Sequence, residues 1–329
     1  MVPPDGFDRK TGSLRISLTD HCNLRCLYCM PVQALRFAPP EELLTAKEIE
    51  RVAQAAVRLG FHKFRLTGGE PTLRTDLVDI VGRLAAIDGV RDLAMTTNGI
   101  LLPDLAQPLR AAGLRRVNIH LDTLNPDRLK RLMRFGSVDQ ILAGLEAAVA
   151  AGLTPLKINC VVTLGYNDAD VVDLARLTME HDWQVRFIEL MPLGGGQCAQ
   201  LALSRYVPTA ATRERIENAL GPLEAVRSPN PADEARRFRL PGGRGEVAFI
   251  SPVSEPYCGT CNRMRLTADG RFHLCLLSDD EIDVRPALRN GHAVTVDDLL
   301  RQAIAAKPSG HRLAEGLSVE RRQMFQIGG

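Results

Sequence analysis

Six of the eight cysteines fall into two groups of three. The first is the run Asp20-His-Cys22-Asn-Leu-Arg-Cys26-Leu-Tyr-Cys29, a C-x3-C-x2-C spacing. Three thiolates in so short a loop can hold three irons of a [4Fe–4S] cube, and the missing fourth ligand leaves one iron open to a small molecule. Structural zinc prefers four donors, commonly on paired knuckles. His21 is the remaining donor, but its place beside Cys22 gives a poor bite. The second group is Cys258-Gly-Thr-Cys261 with Cys275, a C-x2-C-x13-C spacing. Here His273 precedes Cys275 by two residues. Zinc held by three cysteines and a histidine therefore fits as well as a second cluster. Cys160, on the apolar side of a strand, reads as buried packing. Cys198, in a glycine-rich stretch, has no assignment.

Alternating strands and helices position the first group. Apolar and β-branched segments at 14–18, 63–67, 92–97, 116–121, 156–163 and 184–190 read as strands. Thr45-Ala-Lys-Glu48 and Ser137-Val-Asp-Gln140 are capping boxes that open helices ending near Gly60 and Gly152. Further helical patterns fill 76–86, 101–112 and 170–181. Such a series implies a parallel sheet with right-handed crossovers. One face of every strand is polar: Arg15, Ser17 and Thr19; Lys63, Arg65 and Thr67; Ala94 and Thr96; Asn118, His120 and Asp122; Lys157 and Asn159; Arg186. A parallel sheet covered by helices is apolar on both faces, and a closed eight-stranded barrel fills its lumen with branched apolar side chains. An open, partial (β/α)6 barrel with a polar lumen fits better than a sheet with one solvated face. Arg15, Lys63, Arg65, Lys157 and Arg186 would then share the lumen. Cations so enclosed repel one another and call for a polyanion such as a triphosphate.

After Pro192 the texture changes. Gly194-Gly-Gly196 and residues 228–232 read as loops. Short strands at 237–240, 246–250, 264–267 and 272–276, with an Asp269-Gly270 hairpin turn, and helical patterns at 284–289 and 296–306 suggest a smaller C-terminal α+β domain. The expected division is 1–230 for the barrel and 231–329 for the second domain. Residues 321–329 lack periodicity, as a frayed terminus would. With 329 residues, 45% hydrophobic and 24% charged, the composition is globular. A net charge of +2 is too small for a nucleic-acid clamp, and no apolar run is long enough to span a bilayer. Without an apolar signal core, the expected compartment is the cytoplasm.

The first group resembles the C-x3-C-φ-C signature of the radical S-adenosylmethionine superfamily, with Tyr28 as the aromatic φ. Thr67-Gly68-Gly69-Glu70-Pro71, following the second strand, resembles the superfamily's Gly-Gly-Glu segment, whose glycines are expected to let backbone approach the cofactor's ammonium group. The resemblance implies reductive cleavage of S-adenosylmethionine to a 5′-deoxyadenosyl radical. Over nearly the whole chain the sequence is similar to the GTP 3′,8-cyclase family, which begins molybdenum cofactor biosynthesis. The segments that carry it are Leu14-Arg15-Ile-Ser, Arg65-Leu-Thr-Gly-Gly69, Thr96-Thr-Asn-Gly99, Lys157-Ile-Asn159, Arg186-Phe-Ile-Glu-Leu-Met191, Cys258-Gly-Thr-Cys-Asn-Arg263-Met-Arg265 and Ile327-Gly328-Gly329.

This resemblance implies two [4Fe–4S] clusters, the second on Cys258, Cys261 and Cys275. It places Tyr28, Gly69, His120 and Met191 against S-adenosylmethionine, with His120 standing where the family pattern has a serine. It places Arg15, Lys63, Arg65, Thr96, Lys157, Arg186, Arg263, Met264 and Arg265 around GTP. Arg263, Arg265, Lys157 and Arg186 would act in the reaction by positioning and charge compensation. The tail would bring Gly328 and Gly329 to the lumen. The next enzyme, cyclic pyranopterin monophosphate synthase, would take the product, and a homodimer is compatible with the sequence. The rival readings are a radical peptide-modifying enzyme, which needs a peptide channel, and an electron-transfer ferredoxin, which needs four ligands per cluster.

Overall fold

The computed structural model describes residues 4–31, 35–228, 230, 232–289, 293–315 and 319–328. Its barrel strands are β1 (Ser13–Ser17), β2 (Lys63–Thr67), β3 (Asp92–Thr97), β4 (Arg116–His120), β5 (Lys157–Val162) and β6 (Gln184–Glu189). Between them run α1 (Ala46–Arg58), α2 (Leu77–Ala85), α3 (Leu102–Ala111), α4 (Pro126–Met133), α5 (Val138–Ala150) and α6 (Val171–Glu180). Both capping boxes form: Thr45 with Glu48 opens α1, and Ser137 with Gln140 opens α5. Two further helices, α7 (Gly196–Ser204) and α8 (Thr209–Leu220), lie between the two expected loops, α7 taking in the last glycine of the first.

The C-terminal third adds β7 (Glu224–Val226), β8 (Arg236–Arg239), β9 (Glu246–Ile250), β10 (Arg263–Leu266), β11 (Arg271–His273) and β12 (Glu281–Asp283). It also supplies α9 (Arg285–Arg289), α10 (Val296–Ala305) and a short α11 (Met324–Ile327). These strands form no separate sheet. The order is β12-β11-β10-β1-β2-β3-β4-β5-β6-β9-β8-β7, with β10 parallel to β1 and β9 parallel to β6. The sheet is open, so the barrel is partial, and each end is finished by antiparallel strands.

Strand alternation sorts the side chains as the period of two requires. Leu14, Ile16, Phe64, Leu66, Met95, Val117, Ile119, Ile158, Val185 and Phe187 face outward into one core shared with the helices. Cys160 joins that core, as its strand face predicts. The other face lines the lumen. Among the described residues, no helix is long and apolar enough to cross a membrane.

Candidate active site

Register sets the electrostatics of the lumen. Arg265, Arg15 and Arg65 are direct neighbours across β10, β1 and β2, and the row continues through Ala94 to Arg116. Two residues earlier, Ser13 stands between Arg263 and Lys63. Lys157 lies between Asn118 and Gln184, and Arg186 neighbours Asn159. Adjacent strands are only ~4.8 Å apart, so these like charges crowd one another. Burial, reinforced by Arg186, Arg116 and Arg65, pushes the Lys157 ammonium down to about 7. Arg65, Arg186 and Arg265 are pressed down by the same two causes.

Two carboxylates answer these cations. Asp92 takes Arg116, with an Oδ2–Nη2 distance of 2.8 Å. Glu234 accepts from Arg15 at 3.0 Å and from Arg263, and it lies 3.8 Å from Arg65. Burial alone would raise the Glu234 carboxyl, but Arg263, Arg15 and Arg65 outweigh it and hold it well below the usual range. Parity extended by one step would have found Arg116 and Asp92. Glu234 has no such signal, because it lies in a loop.

Above the cations sits the first cysteine group, in the loop leaving β1. Gly69 donates its N–H to Thr19 O at 2.7 Å, and Glu70 donates to His21 O at 2.7 Å. A Cβ on Gly69 would lie 2.3 Å from His21 O, and one on Gly68, at φ +136, 2.3 Å from Thr19 O. The space a side chain would need at either glycine is taken by the cysteine loop itself. Glu70 completes the support, accepting from Thr72 Oγ1 at 2.6 Å, Thr97 Oγ1 at 2.7 Å and the Asn98 N–H at 2.7 Å. Burial pushes the Cys22 thiol up to about 12, with Cys26 and Glu70 adding to it, and burial with Cys26 and Cys22 pushes Cys29 up. Thiols that raise one another become thiolates readily only against added positive charge, which irons supply. His21 stays out of the group: its Nδ1 lies 2.9 Å from Asp20 Oδ1 and its ring stacks on Phe37 at 4.3 Å.

Tyr28 donates its hydroxyl to Asp122 Oδ2 at 2.6 Å, and its oxygen is 2.9 Å from His120 Nε2. Burial works against a charged His120, but Asp122 outweighs it and holds the imidazolium pKa well above its ordinary value. Cys198, on α7, packs its Sγ 3.6 Å from Leu27 O, beside this loop.

The second group flanks β10 and β11. Cys258 and Cys261 form a single turn before β10, and Cys275 follows β11. Burial raises the Cys261 thiol, yet Arg263 and Lys307 bring it down to about 6. Lys307 reaches its Sγ at 3.6 Å and Leu274 O at 3.4 Å. Arg9 braces the turn from below, donating to Cys258 O at 2.9 Å and to Ser309 O at 2.9 Å while paired with Asp5 at 2.6 Å. Lys307 and Arg9 lie far from the motif in sequence and carried no signal. His273 holds its Nδ1 3.1 Å from Glu281 Oε1, and its buried Nε2 has no partner among the described residues. Among the described residues, no three Cys, His, Asp or Glu side chains converge on one ion.

Both groups open into one cavity of about 1820 Å³, its mouth included, lined also by Tyr28, Gly69, Thr96, His120, Met191 and Arg265. A second chamber below it is lined by Lys63, Arg116 and Lys157 and shares Arg15, Arg65, Arg186, Glu234 and Arg263 with the first. Among the described residues, Thr96 Oγ1 and Asn159 Oδ1, both on the cavity wall, have no hydrogen-bond partner. Met264 is the exception among the expected residues. Its side chain is fully buried in the outer core, because Arg263 and Arg265 on either side point inward.

The tail closes the wall beside the first group. Ser17 Oγ donates to Ile327 O at 2.7 Å, and Arg265 donates to Gly328 O. Gly328 has φ +80, and a Cβ there would lie 2.5 Å from Thr67 Cγ2 and 2.6 Å from Ser17 Oγ. The expectation for Gly329 lies outside the described residues.

Residues 16–178 match the radical SAM superfamily, and residues 183–313 match Molybdenum Cofactor Synthesis C. The chain is 45% identical to the GTP 3′,8-cyclase of Pelotomaculum thermopropionicum over 326 residues, 99% of each chain. It is 44% identical to that of Moorella thermoacetica over the same share. The chain belongs to the GTP 3′,8-cyclase family. Among solved structures, SuiB of Streptococcus suis matches with a TM-score of 0.59 at 17% identity, covering 80% of this chain and 60% of that one. That likeness shows the fold alone. Membership in the cyclase family brings with it a [4Fe–4S] cluster and S-adenosylmethionine, and the first cysteine group with its buried, mutually raised thiols fits the cluster.

Proposed function

We propose that the chain converts GTP to (8S)-3′,8-cyclo-7,8-dihydroguanosine 5′-triphosphate, the first step of molybdenum cofactor biosynthesis. The observation that carries this reading is the single lumen with a cysteine group on each side of its upper chamber and a crowded row of cations beneath. Cys22, Cys26 and Cys29 would hold the family's cluster, which with S-adenosylmethionine supplies the one-electron chemistry for removing a hydrogen atom from the ribose. Tyr28, Gly69, His120 and Met191 line the adjoining wall, as a binding place for S-adenosylmethionine requires. Cys258, Cys261 and Cys275, which line the same cavity, would hold a second [4Fe–4S] cluster.

Arg15, Lys63, Arg65, Lys157 and Arg186 would seat the triphosphate, whose charge compensates theirs. Arg263 and Arg265 stand between that seat and the second cysteine group, where they would fix the base and balance charge on the reacting nucleotide. Thr96 and Asn159 would offer polar atoms on the cavity wall to the sugar or cofactor. The division into 1–230 and 231–329 is functional in this reading: the first part would bind S-adenosylmethionine, and the second would complete the GTP site. The product would pass to cyclic pyranopterin monophosphate synthase, and the reducing cytoplasm would suit the free cysteines. Anaerobic incubation with GTP, S-adenosylmethionine and a reductant, read by mass spectrometry, tests the proposal. The cyclised triphosphate is expected. Cleavage of S-adenosylmethionine without any GTP-derived product would refute it.

A further inference from the structure

The waist between the two chambers is held by one carboxylate. Arg15, Arg65, Arg186 and Arg263 border both chambers, and Glu234 is the acidic residue that borders both with them. Its oxygens take Arg15 at 3.0 Å and Arg263, with Arg65 at 3.8 Å. We propose that Glu234 is an internal stand-in for phosphate that makes this cation cluster selective for polyanions, and that the triphosphate of the nucleotide must displace it. The inference rests on the reading of GTP as substrate, and it specifies what the site demands of that ligand.

Three features point this way. Guanidinium groups offer the same forked donors to carboxylate and to phosphate, so Glu234 and a phosphate cannot both take Arg15 and Arg263. Charge favours exchange only with a highly charged ligand. Arg15, Lys63, Arg65, Lys157, Arg186, Arg263 and Arg265 face Asp182, Asp233 and Glu234, which leaves a positive excess once Arg116 is paired with Asp92 and Arg237 with Glu246. A triphosphate neutralises that excess by engaging the lower chamber as well. A single small anion only replaces one carboxylate with another group of similar reach, against a tethered competitor of high effective concentration. Finally, Glu234 can leave without cost to the barrel. It lies in the connection between β7 and β8, the outermost pair of the sheet, and no β-ladder includes it.

The test compares wild type with Glu234→Gln and Glu234→Ala as reconstituted holoenzymes, by anaerobic calorimetry with tripolyphosphate, inorganic phosphate, GTP and guanosine. Both variants should bind tripolyphosphate and GTP on the order of tenfold more tightly, because no carboxylate competes. Inorganic phosphate should bind measurably to the variants only, and guanosine binding should not change. Iron content equal to wild type, together with a melting temperature that tripolyphosphate raises more in the variants, shows that the fold is intact. Unchanged or weaker tripolyphosphate binding in both variants overturns the proposal. Equal phosphate binding in all three proteins overturns the claim of selectivity. Tighter tripolyphosphate but weaker GTP binding would overturn displacement by the nucleotide, since the carboxylate would then be holding GTP. If wild type binds tripolyphosphate and not GTP, the substrate reading fails while the tripolyphosphate comparison still decides the role of Glu234.

Discussion

Lys157 gives the site a pH dependence whose size follows from its surroundings. In the ligand-free lumen its ammonium is pushed from 10.5 down to about 7 by burial and by Arg186, Arg116 and Arg65. A bound triphosphate places negative charge beside it and should return it toward its ordinary value. The charged form binds, so affinity is highest below the ligand-free pKa and falls as pH rises between the two values. With about 7 for the free site and 10.5 for the bound one, linkage predicts about a 16-fold loss of GTP affinity between about pH 7 and about pH 8.5. Binding should also take up close to one proton at the upper end of that range. Calorimetry in buffers of different ionisation enthalpy measures both quantities. Lys157→Gln should bind GTP more weakly at every pH and lose most of the slope. The same group acts with opposite sign on the ligand-free fold. Its folded pKa is depressed, the unfolded chain holds more protons between the two values, and stability rises with pH there. A flat wild-type affinity over this range, or an undiminished slope in Lys157→Gln, would refute the reasoning.

Anaerobic reconstitution should load about eight irons per chain, and replacing Cys22, Cys26 and Cys29 together should leave about four and no cleavage of S-adenosylmethionine; iron analysis and EPR check this, and zinc in the second site would sink the two-cluster reading. Gly69→Ala should cost on the order of 1–3 kcal/mol and lower the iron held by the first group, because its Cβ would meet His21 O. A denaturation curve with iron assay reads both, and an unaffected cluster would count against the packing role assigned to that glycine. Gly328→Ala should displace the tail from Ser17 and Thr67 and lower cyclisation by on the order of a hundredfold, while S-adenosylmethionine cleavage persists. Normal turnover in that variant would make the docked tail incidental.

Much of this was legible because the barrel repeats one pattern. The polar face of Arg15, Arg65, Thr96, His120 and Arg186 follows from the period of two, and the same rule sends Met264 outward between two inward arginines. Any contact of Met264 with a ligand in the lumen would therefore fall to its backbone. Helix α4 was visible in principle, since Asn125 caps it and Pro126 opens it. Helix α7 was hidden because Gly194-Gly-Gly196 reads as a loop, yet the last glycine begins the helix. Glu234, Lys307 and Arg9 could not be found. Each is a single charge in an irregular segment, and its partners are brought to it only by tertiary folding.

The sheet order also bears on how the chain is made. β1 forms early in synthesis, but its partner β10 begins at residue 263, and the partner of β6 on its far side begins at residue 246. Until the C-terminal third emerges from the ribosome, the six-stranded barrel has two bare edges of unpaired backbone, a template for aggregation. These distant pairings are also the slow ones to form. A nascent chain stalled before residue 246 should therefore be a client for chaperones, and the first cysteine loop would be exposed to oxygen throughout that interval. The strand order thus leaves the edges of β1 and β6 to be covered by β10 and β9, both translated after the barrel itself.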